Sequence, residues 1–202
     1  SRRPLKDVLG VAFKDGGRVE TTPARPLVDV ETLLPTPWEL VNVEQYIHPD
    51  FYLRKSHRTL DIGQTSRGCP YDCGFCCSAT LRHRVWRTMS VEKALDVIVG
   101  NIKRYNLDGM WIRDDNFYVN PKRVAAICSG MVEADAVASW YSSGTRADDF
   151  LRLDAETLRI LKRSGANVVK IGGESGCNRI LELMNKGITV DETFEANLRA
   201  KE

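Results

Sequence analysis

Apolar residues in this chain follow two regimes. Up to about residue 59 they are scattered among prolines and charges. From Leu60 they fall into short runs followed by stripes at helical spacing, the mark of strands and helices in alternation. Leu60-Asp61-Ile62-Gly63-Gln64-Thr65, Gly109-Met110-Trp111-Ile112-Arg113-Asp114, Ala138-Ser139-Trp140-Tyr141-Ser142-Ser143 and Asn167-Val168-Val169-Lys170-Ile171-Gly172 read as strands. Helices are signalled between and after them. Ser90 stands as an N-cap before Val91, Ala94, Leu95, Ile98 and Ile102, and Asn120-Pro121 opens the stripe Val124, Ile127, Cys128 and Met131. Asp154 caps a helix carrying Leu158 and Leu161 that Gly165 closes. A short helix runs through Ile180, Leu181 and Met184 to Lys186-Gly187, and a last one starts near Thr189. The class predicted is α/β, with a parallel sheet. Asp114, Arg146 and Glu174, each following a strand, fall about 30 residues apart, the length of one repeating β/α unit. In a parallel barrel or part-barrel the loops gather at the C-terminal strand ends, so a site is expected there.

The earlier residues organise differently. Val8 to Phe13 and Arg18 to Thr21 flank Asp15-Gly16-Gly17, which predicts a β-hairpin with a glycine turn. Pro23, Pro26, Pro35 and Pro37 then break up any long element, so residues 22 to 59 form an extended connector, with Leu33-Leu34-Pro35-Thr36-Pro37-Trp38 and Val41 apolar enough to pack down. The division is therefore a hairpin and Pro-rich linker over 1–59 and the first part of a β/α barrel over 60–202.

Composition narrows the classes. At 202 residues, 43% hydrophobic and 28% charged, the chain has the make-up of an ordinary globular domain with room for one sizeable core. A net charge of +2 from 29 basic and 27 acidic residues gives no reason to expect a nucleic acid or a membrane surface as partner. No stretch approaches the ~20 apolar residues of a membrane span, and Ser1-Arg2-Arg3-Pro4 has no apolar signal run. The start without Met and the stop at Ala200-Lys201-Glu202 in a helical pattern suggest a piece of a longer protein.

Three of the six cysteines stand in one stretch, Cys69-Pro70-Tyr71-Asp72-Cys73-Gly74-Phe75-Cys76. Such clustering suits a reducing cytoplasm better than a disulfide framework. Gly68, Pro70 and Gly74 interrupt regular structure, so the backbone can curl and turn the sulfurs inward to a soft metal centre. Structural zinc wants four ligands, and three on one loop leave the set open. A 4Fe-4S cluster with three thiolates would keep one iron free for a ligand that is not protein. Cys77, Cys128 and Cys177 read as small packing residues. Arg82, His83, Arg84 and Arg87 form a basic run that is either a solvated face or a meeting point for an anion, while His48 and His57 have no supporting neighbours.

The spacing C-x3-C-x-aromatic-C, filled by Cys69, Cys73, Phe75 and Cys76, resembles the signature of the radical S-adenosylmethionine (SAM) enzymes. The resemblance implies a partial six-stranded β/α barrel of which about two thirds is visible here, a 4Fe-4S cluster, and SAM chelated at the open iron. It implies reductive cleavage of SAM to a 5'-deoxyadenosyl radical, with Phe75 near the adenine. Asp114 and Asp115 stand where the family meets the SAM amino group, though an Asp or Asn here also favours a turn. Arg146 could pair with the SAM carboxylate or form an ordinary salt bridge, and Glu174 could hold a ribose hydroxyl or the amino group. Gly172-Gly173-Glu174-Ser175-Gly176 looks like the Gly-x-Glu-Ser-Gly run of the cobalamin-dependent and methylthiotransferase branches. The hairpin and Leu-Pro-x-Pro-Trp segment look like the link between a cobalamin domain, lying outside these residues, and the barrel. Expected, then, is an enzyme core for methylation, cyclisation or rearrangement of a small-molecule or lipid-like substrate, reduced by a flavodoxin or ferredoxin. The alternatives are a methylthiotransferase and a non-catalytic iron-sulfur or zinc scaffold.

Overall fold

The computed structural model describes residues 3–53 and 55–201; Ser1, Arg2 and Glu202, which the expectations about the chain ends include, lie outside them. The hairpin is present as β1 (Ala12–Asp15) and β2 (Arg18–Thr21), paired antiparallel with Asp15 opposite Arg18. Gly16 and Gly17 both take positive φ, 52° and 84°, the backbone a two-residue primed turn demands. The first arm begins at Ala12 and not at Val8, because Leu5–Asp7 is a 3-10 turn and Gly10 bends the chain at φ 70°.

The connector is a strap of short 3-10 turns, Val30–Thr32, Trp38–Leu40 and Val43–Gln45, laid over the core. Val30 is buried, and Leu33, Trp38, Val43 and Ile47 pack against the core. The strap also clasps the next domain by polar contacts: the Glu31 carboxylate accepts from the Ser90 N–H (2.6 Å) and hydroxyl (3.0 Å).

Three parallel strands make the central sheet, in the order β3 (Thr59–Asp61), β6 (Gly109–Ile112), β7 (Ser139–Ser142). Between β3 and β6 run β4 (Ser66–Arg67), α1 (Cys77–Arg82), β5 (Arg87–Thr88) and α2 (Val91–Tyr105). Side chains alternate across the sheet. Met110, Ile112 and Trp140 join the hydrophobic core, which includes Ala94, Val97, Ile98 and Ile102 of α2 and Val124, Ile127, Cys128 and Met131 of α3 (Pro121–Glu133). Each large apolar side chain buried there contributes about 1.5–3 kcal/mol. Trp111 and Tyr141 point to the opposite, inner face. The expected caps are formed: Ser90, Asn120 and Asp154 accept from the N–H groups of Lys93, Arg123 and Thr157, and Thr189 makes a full capping box with Glu192.

Two expectations need correction. The run Leu60 to Thr65 is not one strand: the ladder stops at Asp61, Gly63 turns at φ 83°, and β4 then pairs antiparallel with β5. That small clip closes the base of the cysteine loop. The run Asn167 to Gly172 is not a laddered strand either. It lies parallel to the chain of β7 and touches it by bridges at its two ends, Trp140 with Ala166 and Thr145 with Ile171. The sheet is thus an open part-barrel with three laddered strands and a fourth segment bridged beside them. Helices α4 (Ala147–Leu151) and α5 (Ala155–Arg163) follow β7, and α6 (Asn178–Leu183) and α7 (Val190–Arg199) complete the described chain. Among the described residues no helix is long and apolar enough to cross a membrane.

Candidate metal and cofactor site

The cysteine loop leaves β4 at the C-terminal end of the sheet, and its shape is imposed from outside. Asp114, buried at the end of β6, accepts four hydrogen bonds: Oδ1 from the N–H groups of Thr65 (2.6 Å) and Ser66 (3.0 Å), Oδ2 from their hydroxyls (2.8 and 2.7 Å). Burial pushes its carboxyl above the usual range while those four donors pull it back. Asp115 takes the Gly68 N–H at 2.7 Å. Gly68 has φ 92°, and a Cβ there would run into the Val85 carbonyl, so only glycine lets the loop turn. The far side of the loop is pinned by the end of α6, with the Gly74 N–H on the Met184 carbonyl and the Asn185 amide on the Asp72 carbonyl, both at 2.7 Å.

Under the loop lies a network with no local sequence signal. Arg146 presents Nε and Nη2 to Asp148 (2.9 and 3.1 Å), donates to the carbonyls of Lys186 and Gly187, and brings Nη1 to 3.6 Å from Cys73 Sγ. Its guanidinium stacks 3.7 Å from the Tyr71 ring centre. The Tyr71 hydroxyl donates to buried Asp149 (2.5 Å), whose other oxygen takes the Asn116 amide. Burial and the neighbouring carboxylate hold the Tyr71 hydroxyl well above its ordinary pKa, so it stays a donor.

Above this network Cys69, Cys73 and Cys76 line one cavity of about 300 Å³. Phe75, Asp115, Asn116, Arg146, Lys170, Gly172, Glu174 and Lys186 share it, whereas Asp114 sits below the loop and is not in its wall. Lys186 is buried, pairs with Glu174 at 3.2 Å, and lies 5.6 Å from the Phe75 ring. Glu174 holds a left-handed backbone at φ 61°, and a Cβ on Gly172 would come within 2.9 Å of its Oε1 and 3.2 Å of Lys186 Nζ. Gly172 thus makes room for the ion pair, while Gly173 makes room for Thr193. Sequence reasoning missed Lys186, Tyr71 and Asp149.

The basic run is chiefly structural. Arg84 pairs with Asp72, Arg82 approaches Asp115, and Arg87 donates to the Val28 carbonyl of the strap, while His83 turns outward at the end of α1. Cys128 is a buried packing residue as expected, but Cys77 and Cys177 are exposed, since each stands at the start of a short helix facing solvent.

All three loop cysteines are free thiols, and burial pushes the Cys69 thiol up, a bias that a bound cation reverses by displacing the proton. Among the described residues no three His, Cys, Asp or Glu side chains close on one point as a mononuclear site requires. A cluster that gives each iron its own thiolate asks for a wider spread. Three thiols on one cavity, which Asp115, Glu174, Lys170 and Lys186 also line, fit a 4Fe-4S cluster with one exchangeable position.

Residues 64–202 match the family described as the Radical SAM superfamily. The chain is 30% identical over 200 residues to an uncharacterized methyltransferase of Pyrococcus horikoshii, covering 98% of this chain and 41% of that protein. It is 29% identical over 195 residues to an anaerobic magnesium-protoporphyrin IX monomethyl ester cyclase of Cereibacter sphaeroides, covering 95% of this chain and 30% of the relative. Among solved structures it is similar to the cobalamin-dependent S-adenosylmethionine radical enzyme OxsB with aqua-cobalamin bound, with a TM-score of 0.70 and 27% identity over 96% of this chain and 28% of that one. The chain spans less than half the length of these relatives.

Proposed function

The chain belongs to the radical SAM superfamily, and on that footing we propose that it is the cluster- and SAM-binding core of a larger cobalamin-dependent enzyme that methylates or cyclises its substrate. The observation that carries this reading is the meeting of Cys69, Cys73 and Cys76 with Phe75, Glu174 and Lys186 on one cavity at the strand ends. Cys69, Cys73 and Cys76 would hold the 4Fe-4S cluster, which when bound and reduced would supply the electron for cleaving the sulfonium carbon-sulfur bond of SAM to methionine and a 5'-deoxyadenosyl radical.

What this chain's residues contribute is position. Asp114, with its four donors engaged, sets the strand end from which the loop departs. Arg146 is spent on Asp148, two carbonyls and the Tyr71 ring, so it fixes Cys73 and the loop, with Nη1 beside the sulfur. Phe75, half exposed on the wall, offers a face for the adenine, and Glu174 with Lys186 offers one charge of each sign to the amino acid end of SAM. Asp115 meets the Gly68 N–H through Oδ2, leaving Oδ1 without a hydrogen-bond partner among the described residues, and it lines the same cavity, so it is a second candidate for the amino group. Cobalamin use is supported by the likeness to OxsB, and the domain that would carry it lies outside these residues. A flavodoxin or ferredoxin is the proposed reductant, in a cytoplasm reducing enough to keep the thiols free.

The test is anaerobic reconstitution of the full-length protein and electron paramagnetic resonance of its reduced form with and without SAM. The expected result is a cluster signal that changes shape on adding SAM, lost in Cys73→Ala and kept in Cys77→Ala. A cluster indifferent to SAM would leave an iron-sulfur scaffold, and zinc in place of iron would overturn the reading.

A further inference from the structure

The inner face of the sheet holds a feature that loop anchoring does not use. The Trp111 and Tyr141 rings stack there at 5.5 Å with 23° between planes, and Tyr52 of the strap leans on Tyr141 at 5.6 Å. Cations close both ends of this shelf. Arg113 lies 3.7 Å over Trp111, and Lys170 Nζ lies 3.7 Å over Tyr52, 4.1 Å over Tyr141 and 5.4 Å over Trp111. The two cations differ in one respect. Arg113 is paired with Asp61 at 2.5 Å, whereas among the described residues no carboxylate stands within ion-pair distance of Lys170. Burial holds Lys170 below its ordinary pKa, offset in part by the field of Asp50, whose oxygens are taken by the N–H groups of Tyr52 and Leu53 and by the Tyr141 hydroxyl. Lys170 also lines the cavity of the three cysteines. Three ring faces fix its ammonium at the edge of that cavity, its hydrogen-bond donors unspent.

We propose that Lys170 anchors the substrate by an anionic group, a carboxylate or a phosphate, and so holds it in the cavity lined by Cys69, Cys73 and Cys76, with the Trp111–Tyr141 stack serving only to set the ammonium in place. This rests on the radical SAM reading of the same cavity and names the charge its substrate carries. An ammonium preset on aromatic faces loses little entropy on taking an anion, and removal from bulk water strengthens the pair. The paired Arg113 and Lys186 are poorer candidates, since an anion would first have to displace their own acids.

The experiment uses the reconstituted, reduced, SAM-saturated full-length protein, whose paramagnetic cluster shortens the relaxation of nuclei bound near it. Two probes are used, inorganic phosphate by phosphorus-31 and carboxyl-labelled benzoate by carbon-13 magnetic resonance. At least one should relax several-fold faster with wild type; which one does so tells phosphate from carboxylate. The enhancement should vanish in Lys170→Met and return in Lys170→Arg, with the SAM-induced change of the cluster signal intact in both. No enhancement with either probe, enhancement unchanged in Lys170→Met, or enhancement only in the absence of SAM would each overturn the proposal. Loss of the SAM response in wild type would instead defeat the reading it rests on.

Discussion

Asp114 lies beneath the cysteine loop with both carboxylate oxygens engaged by the loop's own first residues. Its Oδ1 meets two backbone N–H groups and its Oδ2 two hydroxyls, and only the hydroxyls can turn round to accept. An asparagine can therefore keep its carbonyl at the Oδ1 place and offer its amide to Thr65 and Ser66, losing mainly the charge that faces buried Arg123. Asp114→Asn is expected to cost about 1–2 kcal/mol and Asp114→Ala about 3–5 kcal/mol in urea unfolding, since alanine strands both N–H groups and the cation. SAM affinity of the folded Asn variant should match wild type; a tenfold loss would return Asp114 to the SAM site. The cysteine triad was legible because its spacing is local, and Glu174 because glycines flag it. Lys186, Tyr71 and Asp149 were not, because the contacts that make them matter join residues far apart in the chain.

Glycine carries different weight in different elements. Gly17 in the hairpin turn and Gly165 after α5 both have positive φ, 84° and 97°, so alanine is strained at either. Around Gly17 there is open space, but at Gly165 a Cβ would strike the Ala138 carbonyl at the entry to β7. Gly17→Ala should cost about 1 kcal/mol and Gly165→Ala about 3 kcal/mol or more by denaturant midpoint; equal costs would mean that α5 and β7 are not in this close contact. The four β/α steps were readable from period alone, with their caps. Where the strands stop was not: Val168 and Val169 have strand propensity, yet the segment meets β7 only at its two ends. The β4–β5 clip escaped notice because a two-residue strand has no period to detect.

At the scale of the molecule a strap and a part-barrel are joined by polar contacts spread along the strap, among them Val28 with Arg87, Asp50 with Tyr141, and Glu31, which takes the N–H and hydroxyl of the α2 N-cap Ser90 from 59 residues away. Glu31→Ala should leave α2 with its own Ser90 cap but loosen the strap, so limited proteolysis between residues 22 and 45 is expected to quicken several-fold with residues 60–201 still protected. Unchanged cleavage would mean that the apolar contacts of Val30, Leu33 and Trp38, with the remaining polar ones such as Arg87 on the Val28 carbonyl, hold the strap without Glu31. The cysteine loop is held in another way. Its anchors, Asp114, Asp115, Arg146 and Asn185, belong to elements that the chain forms elsewhere. A disturbance in any of those distant elements is therefore passed on to the positions of the three sulfurs, so that the loop registers the integrity of the whole part-barrel.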